Sequence, residues 1–130
     1  AWLNDSNRLR VSARRNMIEA IFATGVPFGG RSTLPATLQD LARLMPVCAG
    51  VRRWGAAALD LAYVAAGRYD GFWERGLNAW DIAAGLLIVK EAGGFVGPVR
   101  AGREILESGG IIAGNSELFD PLCRILREEA

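Results

Sequence analysis

Residues 74–94 read E-R-G-L-N-A-W-D-I-A-A-G-L-L-I-V-K-E-A-G-G, and the reading of this stretch decides the fold. Asn78 can cap a helix from about Ala79 to Ala92, and Gly93-Gly94 stops it. The helix is apolar over most of its length, yet Asp81 sits in its first turn. A carboxylate in such company is costly unless a cation or hydrogen-bond donors meet it. Upstream, Tyr69 to Glu74 alternates and carries aromatics, which predicts a strand.

The pattern continues on both sides. Trp2-Leu3 and Leu9-Arg10-Val11 flank the turn formers Asn4-Asp5-Ser6-Asn7, so residues 1–12 predict a hairpin. Met17 to Thr24 is short, apolar and bounded by Gly25 and Pro27, and reads as a buried strand. Pro27 to Arg31 reads as a glycine-rich loop. A helix capped by Ser32 or Thr33 is expected from about Pro35 to Met45, with Leu34, Leu38, Leu41, Ala42 and Met45 at helical spacing and Pro46 ending it. Gly50 to Trp54 predicts a short strand, and Gly55 to Ala66 a helix of small residues closed by Gly67. After the Trp-Asp helix, Phe95-Val96 is a strand stub, residues 97–109 read as loop with strand pieces near Glu104-Ile105-Leu106, and Gly110 to Ala113 is a buried strand. Asn115 caps a final amphipathic helix reaching about Arg127. Strands and helices alternate from residue 17 onward, which predicts one α/β domain, a sheet covered by helices on both faces.

Composition narrows the function. The 130 residues are 51% apolar and 22% charged, enough for one core. The net charge of +1 gives no electrostatic case for nucleic acid. Ile82 to Val89 falls far short of the ~20 residues of a membrane span, and the A-W-L-N-D-S-N-R start does not read as a signal peptide. Cys48 and Cys123 lack metal-ligand spacing and read as reduced core thiols, which suits a cytoplasmic protein. Histidine is absent, which removes His-activated nucleophiles and His-ligated metals.

Chemistry therefore falls to carboxylates, arginines and backbone amides. Asp81 can be a ligand for a hard cation such as Mg²⁺, or it can cap its own helix, and spacing alone favours the cap. Glu74 lies at the end of a strand, where α/β sheets bind ligands, and could share a crevice with Asp81. As a solvated glutamate or a partner of Arg75 it would need no function. Gly55-Ala56-Ala57 opens a helix after a strand, leaving backbone N–H groups clear of side-chain bulk; close packing explains the same small residues. Trp73 and Trp80 read as core or pocket-wall aromatics. Lys90 and Glu91 read as helix surface.

Together these pieces resemble the carboxy-terminal half of the inositol monophosphatase family. The family's second signature, Trp-Asp, small residues and an apolar helix ending in Glu-Ala-Gly-Gly, is matched by Trp80 to Gly94. Val51 to Gly76 is similar to bacterial members, including those called extragenic suppressor proteins. The hairpin at residues 1–12 and G-G-I-I-A-G-N-S-E-L at Gly109 to Leu118 resemble further family segments.

The resemblance implies a layered α-β-α domain with a mixed central sheet, and a Mg²⁺-dependent phosphomonoesterase acting on inositol 1-phosphate. It also implies a homodimer for the intact enzyme. Related phosphatases acting on fructose 1,6-bisphosphate or 3′-phosphoadenosine nucleotides, and a non-catalytic interaction role, are the alternatives. By motif position, Asp81 matches a metal-binding aspartate, Glu74 an acidic residue contacting substrate hydroxyls, and Gly55, Ala56 and Ala57 a backbone segment lining the substrate site. The family often carries a hydroxyl residue where Ala56 stands. The family's Asp-Pro-(Ile/Leu)-Asp-Gly-Thr signature and upstream Glu-Glu pair have no counterpart here. The chain, residues 1–130, is therefore expected to be the distal half of such an enzyme, with no catalytic residue of its own and inactive alone.

Overall fold

Three parallel strands, β3 (Ile21–Thr24), β4 (Gly50–Arg52) and β5 (Gly71–Glu74), form one side of a five-stranded mixed sheet. Its other side is antiparallel, from β6 (Phe95–Pro98) and β7 (Ile111–Gly114), and the order is β4-β3-β5-β7-β6. The structure, a computed structural model, describes residues 1–26, 29 and 32–127. Apart from Gly29, the expected glycine-rich loop at Pro27 to Arg31 lies outside the described residues. The expected hairpin forms from β1 (Trp2–Leu3) and β2 (Asn7–Arg8), with Asn4 and Asp5 both at positive φ in the turn, as short polar residues allow.

Alternation along the strands makes two cores. Phe72 has Ala23 and Ala113 as its neighbours in register on one face. They pack with Leu61, Val64, Ile82 and Val89 of α2 (Ala57–Ala65) and α3 (Ala79–Glu91). Phe22, Trp73 and Ile112 point the other way, toward Leu44, Leu122 and Leu126 of α1 (Leu34–Leu44) and α5 (Phe119–Leu126). A period of two in each strand therefore sorts the apolar set between two helix layers, giving the expected α-β-α sandwich.

Four expectations need correction. Met17–Glu19 is a 3₁₀ turn, and the strand begins only at Ile21. Residues 105–108 form a short helix, α4 (Ile105–Ser108), where strand pieces were expected; four residues are too few for either period to show. The buried residues of α1 are Thr37, Asp40 and Leu44, whereas Leu38 and Met45 of the predicted apolar set are exposed. Trp73 is fully buried as expected, but Trp80 is 80% exposed. It stands in the first turn of α3, on the side turned away from the sheet. Leu59, Leu87 and Trp2 are also exposed, so α2 and α3 are apolar beyond the face they bury. Helices of that kind are normally covered on both sides.

Buried polar groups tie distant segments together. Asp70 accepts from Ser12 Oγ (2.6 Å) and the Ile21 amide (2.8 Å), and Arg14 Nε lies 3.1 Å from it. Asn115 donates to Ser12 Oγ and the Arg14 carbonyl, and its own Oδ1 accepts from the Leu118 amide at 2.8 Å. The last bond closes the turn at residues 116–118, and α5 itself starts later than expected of a helix capped by Asn115, with Leu118 at its N-cap and no side-chain cap. Cys123 is buried and Cys48 half-buried, neither joined in a disulfide, and burial raises the Cys48 pKa.

Asp60, in the first turn of α2, is the contrasting case. It is buried, and neither carboxylate oxygen has a hydrogen-bond partner among the described residues. Burial pushes its pKa from 3.8 to about 6. The folded chain therefore holds this proton more tightly than the unfolded chain. The associated stability is fully present below the unfolded pKa and is lost as pH rises through about 6, a span worth roughly 3 kcal/mol. Asp60→Asn is expected to remove this dependence, so that the variant gains on the wild type in melting temperature from about pH 4 to pH 7. Parallel melting curves across that range would show that Asp60 finds a partner.

Candidate functional site

The carboxyl ends of the three parallel strands come together at one crevice of about 400 Å³. Gly25 and Val26 follow β3, Arg53 and Gly55 follow β4, and Glu74, Arg75 and Gly76 end and follow β5; Ser32 and Thr33, before α1, close it. The chain leaves β3 for α1 on one face and β4 for α2 on the other. Loops that diverge in this way leave an opening between them, the usual ligand position in an α/β sheet.

Glu74 is half-buried at this opening, as expected from its strand-end position. Its carboxylate occupies the space that a side chain on Gly25 would need, so a larger residue there would displace it. Gly55 has φ +89°, a conformation that favours glycine, and it redirects the chain from β4 into α2. Ala56 is extended, and α2 begins at Ala57 with no side-chain cap. The leading amides of that helix are therefore not satisfied by a capping side chain. Gly55 lines the crevice; Ala56 and Ala57 are not among its lining residues.

Asp81 does not line the crevice with Glu74. It is half-buried in the first turn of α3, where its Oδ2 accepts a hydrogen bond from the Asn78 amide at 3.0 Å in a capping box. The capping alternative is thus realised. Among the described residues no three carboxylates or thiols gather into a metal cluster. Mg²⁺ usually takes one or two carboxylates and completes its shell with water and substrate oxygens. Asp81, a carboxylate with one oxygen engaged by its cap, fits as a single donor to such an ion and not as a complete site.

Sequence reasoning missed an anchored cation at the crevice. Arg75 Nε donates to Asp40 Oδ2 at 2.7 Å and Arg75 Nη2 to Asp40 Oδ1 at 2.9 Å, a bidentate pair. Asp40 is fully buried and also accepts from the Trp73 indole at 3.2 Å. The fork fixes the guanidinium at the rim of the crevice. Its only sequence signal is a polar residue inside the helical period of α1. The partner, 35 positions away, gives none. Among the described residues no helix is long and apolar enough to cross a membrane.

Residues 1–130 match the Inositol monophosphatase family. The chain is 48% identical over 128 residues to an inositol-1-monophosphatase of Mesorhizobium japonicum, covering 98% of this chain and 48% of that protein. It is 50% identical over 120 residues to the Nus factor SuhB of Pseudomonas aeruginosa, covering 91% of this chain and 44% of that one. Among solved structures, the extragenic suppressor protein suhB from Bartonella henselae superposes with a TM-score of 0.89 at 47% identity, over 97% of this chain and 49% of that chain. The inositol monophosphatase from Anabaena gives a TM-score of 0.87 at 36% identity, over 95% of this chain and 49% of that chain. The chain therefore spans about half the length of the curated relatives it matches.

Proposed function

Because the chain belongs to the inositol monophosphatase family, we propose that it is the alcohol-binding, carboxy-terminal half of a Mg²⁺-dependent phosphomonoesterase that converts inositol 1-phosphate to inositol and phosphate. The observation that carries this reading is Glu74 at the carboxyl end of β5, facing a crevice it shares with Gly55. In the proposed enzyme the Glu74 carboxylate accepts hydrogen bonds from hydroxyls of the polyol. The backbone from Gly55 to Ala57, unobstructed by a capping side chain, receives substrate oxygens at the start of α2. The Arg75 guanidinium, fixed by Asp40, offers its remaining N–H groups at the rim to an anionic ester. Asp81 is the residue of this chain that would hold Mg²⁺. When bound, the ion polarises the phosphate, activates a water and stabilises the leaving alkoxide. The remaining ligands come from residues that the relatives carry beyond the matched region. The outward apolar side of α2 and α3, with Trp80 and Leu87, is where those residues pack. The intact enzyme is a homodimer working on a small phosphate monoester, in the cytoplasm and without a membrane or nucleic acid.

Substrate selectivity tests the reading. Glu74→Gln is expected to lower kcat/KM for inositol 1-phosphate at least about tenfold more than for phenyl phosphate, which has no hydroxyls to hold. Equal proportional losses on both substrates, accompanied by a lower melting temperature, would leave Glu74 a structural strand-end residue.

A second reading, a non-catalytic interaction role, is supported by relatives named Nus factor SuhB at 45–50% identity. It is separable from the first. Under it, Glu74→Gln lowers hydrolysis of inositol 1-phosphate without affecting association with a protein partner.

A further inference from the structure

Arg43, Arg75, Arg100, Arg103 and Arg127 line one cleft of about 490 Å³ between α1, the turn after β6 and the end of α5. No acidic side chain is among the described residues that line it. The whole chain carries only +1, so this is a local accumulation rather than a general excess. Like charges gathered on one wall repel each other and disfavour the folded state unless an anion joins them. Asp40 compensates Arg75 from beneath, and Arg127 donates to the Pro98 carbonyl at 3.2 and 2.5 Å. Arg100 and Arg103 are exposed and make no side-chain hydrogen bond or ion pair among the described residues.

The cleft also has a direction. Arg75, Arg100 and Arg103 line a neighbouring cleft of about 410 Å³ as well. That second cleft shares Ser32, Thr33, Arg75 and Gly76 with the crevice at Glu74. A groove therefore runs from Glu74 to the arginines, with Arg75 in all of its parts.

We propose that the arginine cleft is a second anion subsite, which takes a further phosphate group carried by the alcohol portion of a ligand seated at Glu74. Calling that ligand a substrate rests on the phosphatase reading; the subsite itself does not. Arginine suits the task because its planar fork meets phosphate oxygens in pairs. No aromatic side chain lines either arginine cleft, so the groove lacks the stacking platforms that hold single-stranded nucleic acid. A small molecule with two phosphate groups is the occupant that fits.

The test is a titration of this chain with inorganic pyrophosphate, followed by the amide resonances of residues 99–103 and the arginine side-chain resonances. Saturable shifts at Arg100 and Arg103 are expected. The R100A/R103A double variant should bind at least about tenfold more weakly, while R124A, on the exposed side of α5 and outside the cleft, should bind as the wild type does. Pyrophosphate that shifts none of these resonances, or binds R100A/R103A unchanged, would overturn the proposal. So would a short oligouridylate that binds the same arginines more than about tenfold tighter than pyrophosphate, which would make the groove a nucleic-acid site. If pyrophosphate binds but the intact protein hydrolyses no phosphate ester, the subsite stands and only the phosphatase reading fails.

Discussion

Asp81→Asn in the intact enzyme is expected to lower kcat at saturating Mg²⁺ by at least about 100-fold, a loss of ~2.7 kcal/mol in transition-state stabilisation. The fold should survive. Asp81 holds the start of α3 by accepting the Asn78 amide proton at 3.0 Å, and the amide oxygen of asparagine can accept the same bond. What asparagine cannot supply is the charge that a bound cation needs. Loss of a carboxylate in the first turn also weakens the interaction with the helix dipole, by up to about 1 kcal/mol at an accessible site. Melting temperature should therefore move by only a few degrees while kcat falls. Activity retained within about tenfold, or ~1.4 kcal/mol, would make Asp81 a helix cap and nothing more.

Asp40→Ala should be the most destabilising single change near the site, by about 3–5 kcal/mol in urea unfolding. The side chain is fully buried, and its removal strands two donors, the Arg75 guanidinium and the Trp73 indole. Arg75 is one-fifth exposed and so recovers only part of its hydration. Asp40→Asn keeps an acceptor of the same shape and should lose less. Arg75→Met combined with Asp40→Leu removes both charges, and the double variant should recover much of the loss, because a buried pair contributes little net stability once both partners are replaced by apolar groups. A loss below about 1 kcal/mol in Asp40→Ala would mean that the pair is hydrated and does not anchor Arg75.

The parts legible in the sequence were those set by local chemistry. Asn78, Gly67 and Gly93-Gly94 mark helix ends because caps depend on a few neighbouring residues, and the structure has helix boundaries close to each. The strand-end position of Glu74 followed from the same local reading, and so did the break between β4 and α2 at Gly55. Couplings over long separations were not legible. Asp40 meets Arg75, Asp70 meets Ser12 and Asn115 meets Ser12 across 35, 58 and 103 positions. Nothing local distinguishes such residues from solvated ones. The orientation of α1 was misread for a related reason. Asp40 is buried because a partner waits for it, which turns Leu38 and Met45 outward against the apolar period. Trp80 was misplaced because α3 is apolar nearly all round, and periodicity cannot say which side meets the sheet.

The most direct test of the central claim, that this chain is the alcohol-binding half of a metal-dependent phosphatase, is hydrolysis of inositol 1-phosphate with Mg²⁺ by the chain alone and after mixing with the separately produced remainder of the protein. The chain contributes one candidate metal carboxylate, and a phosphoryl-transfer site needs several oxygens around its cations. The chain alone should show no turnover, and the mixture should show turnover that Asp81→Asn removes. Turnover by the chain alone that Asp81→Asn abolishes, or an intact protein that hydrolyses no phosphate monoester, would contradict that claim.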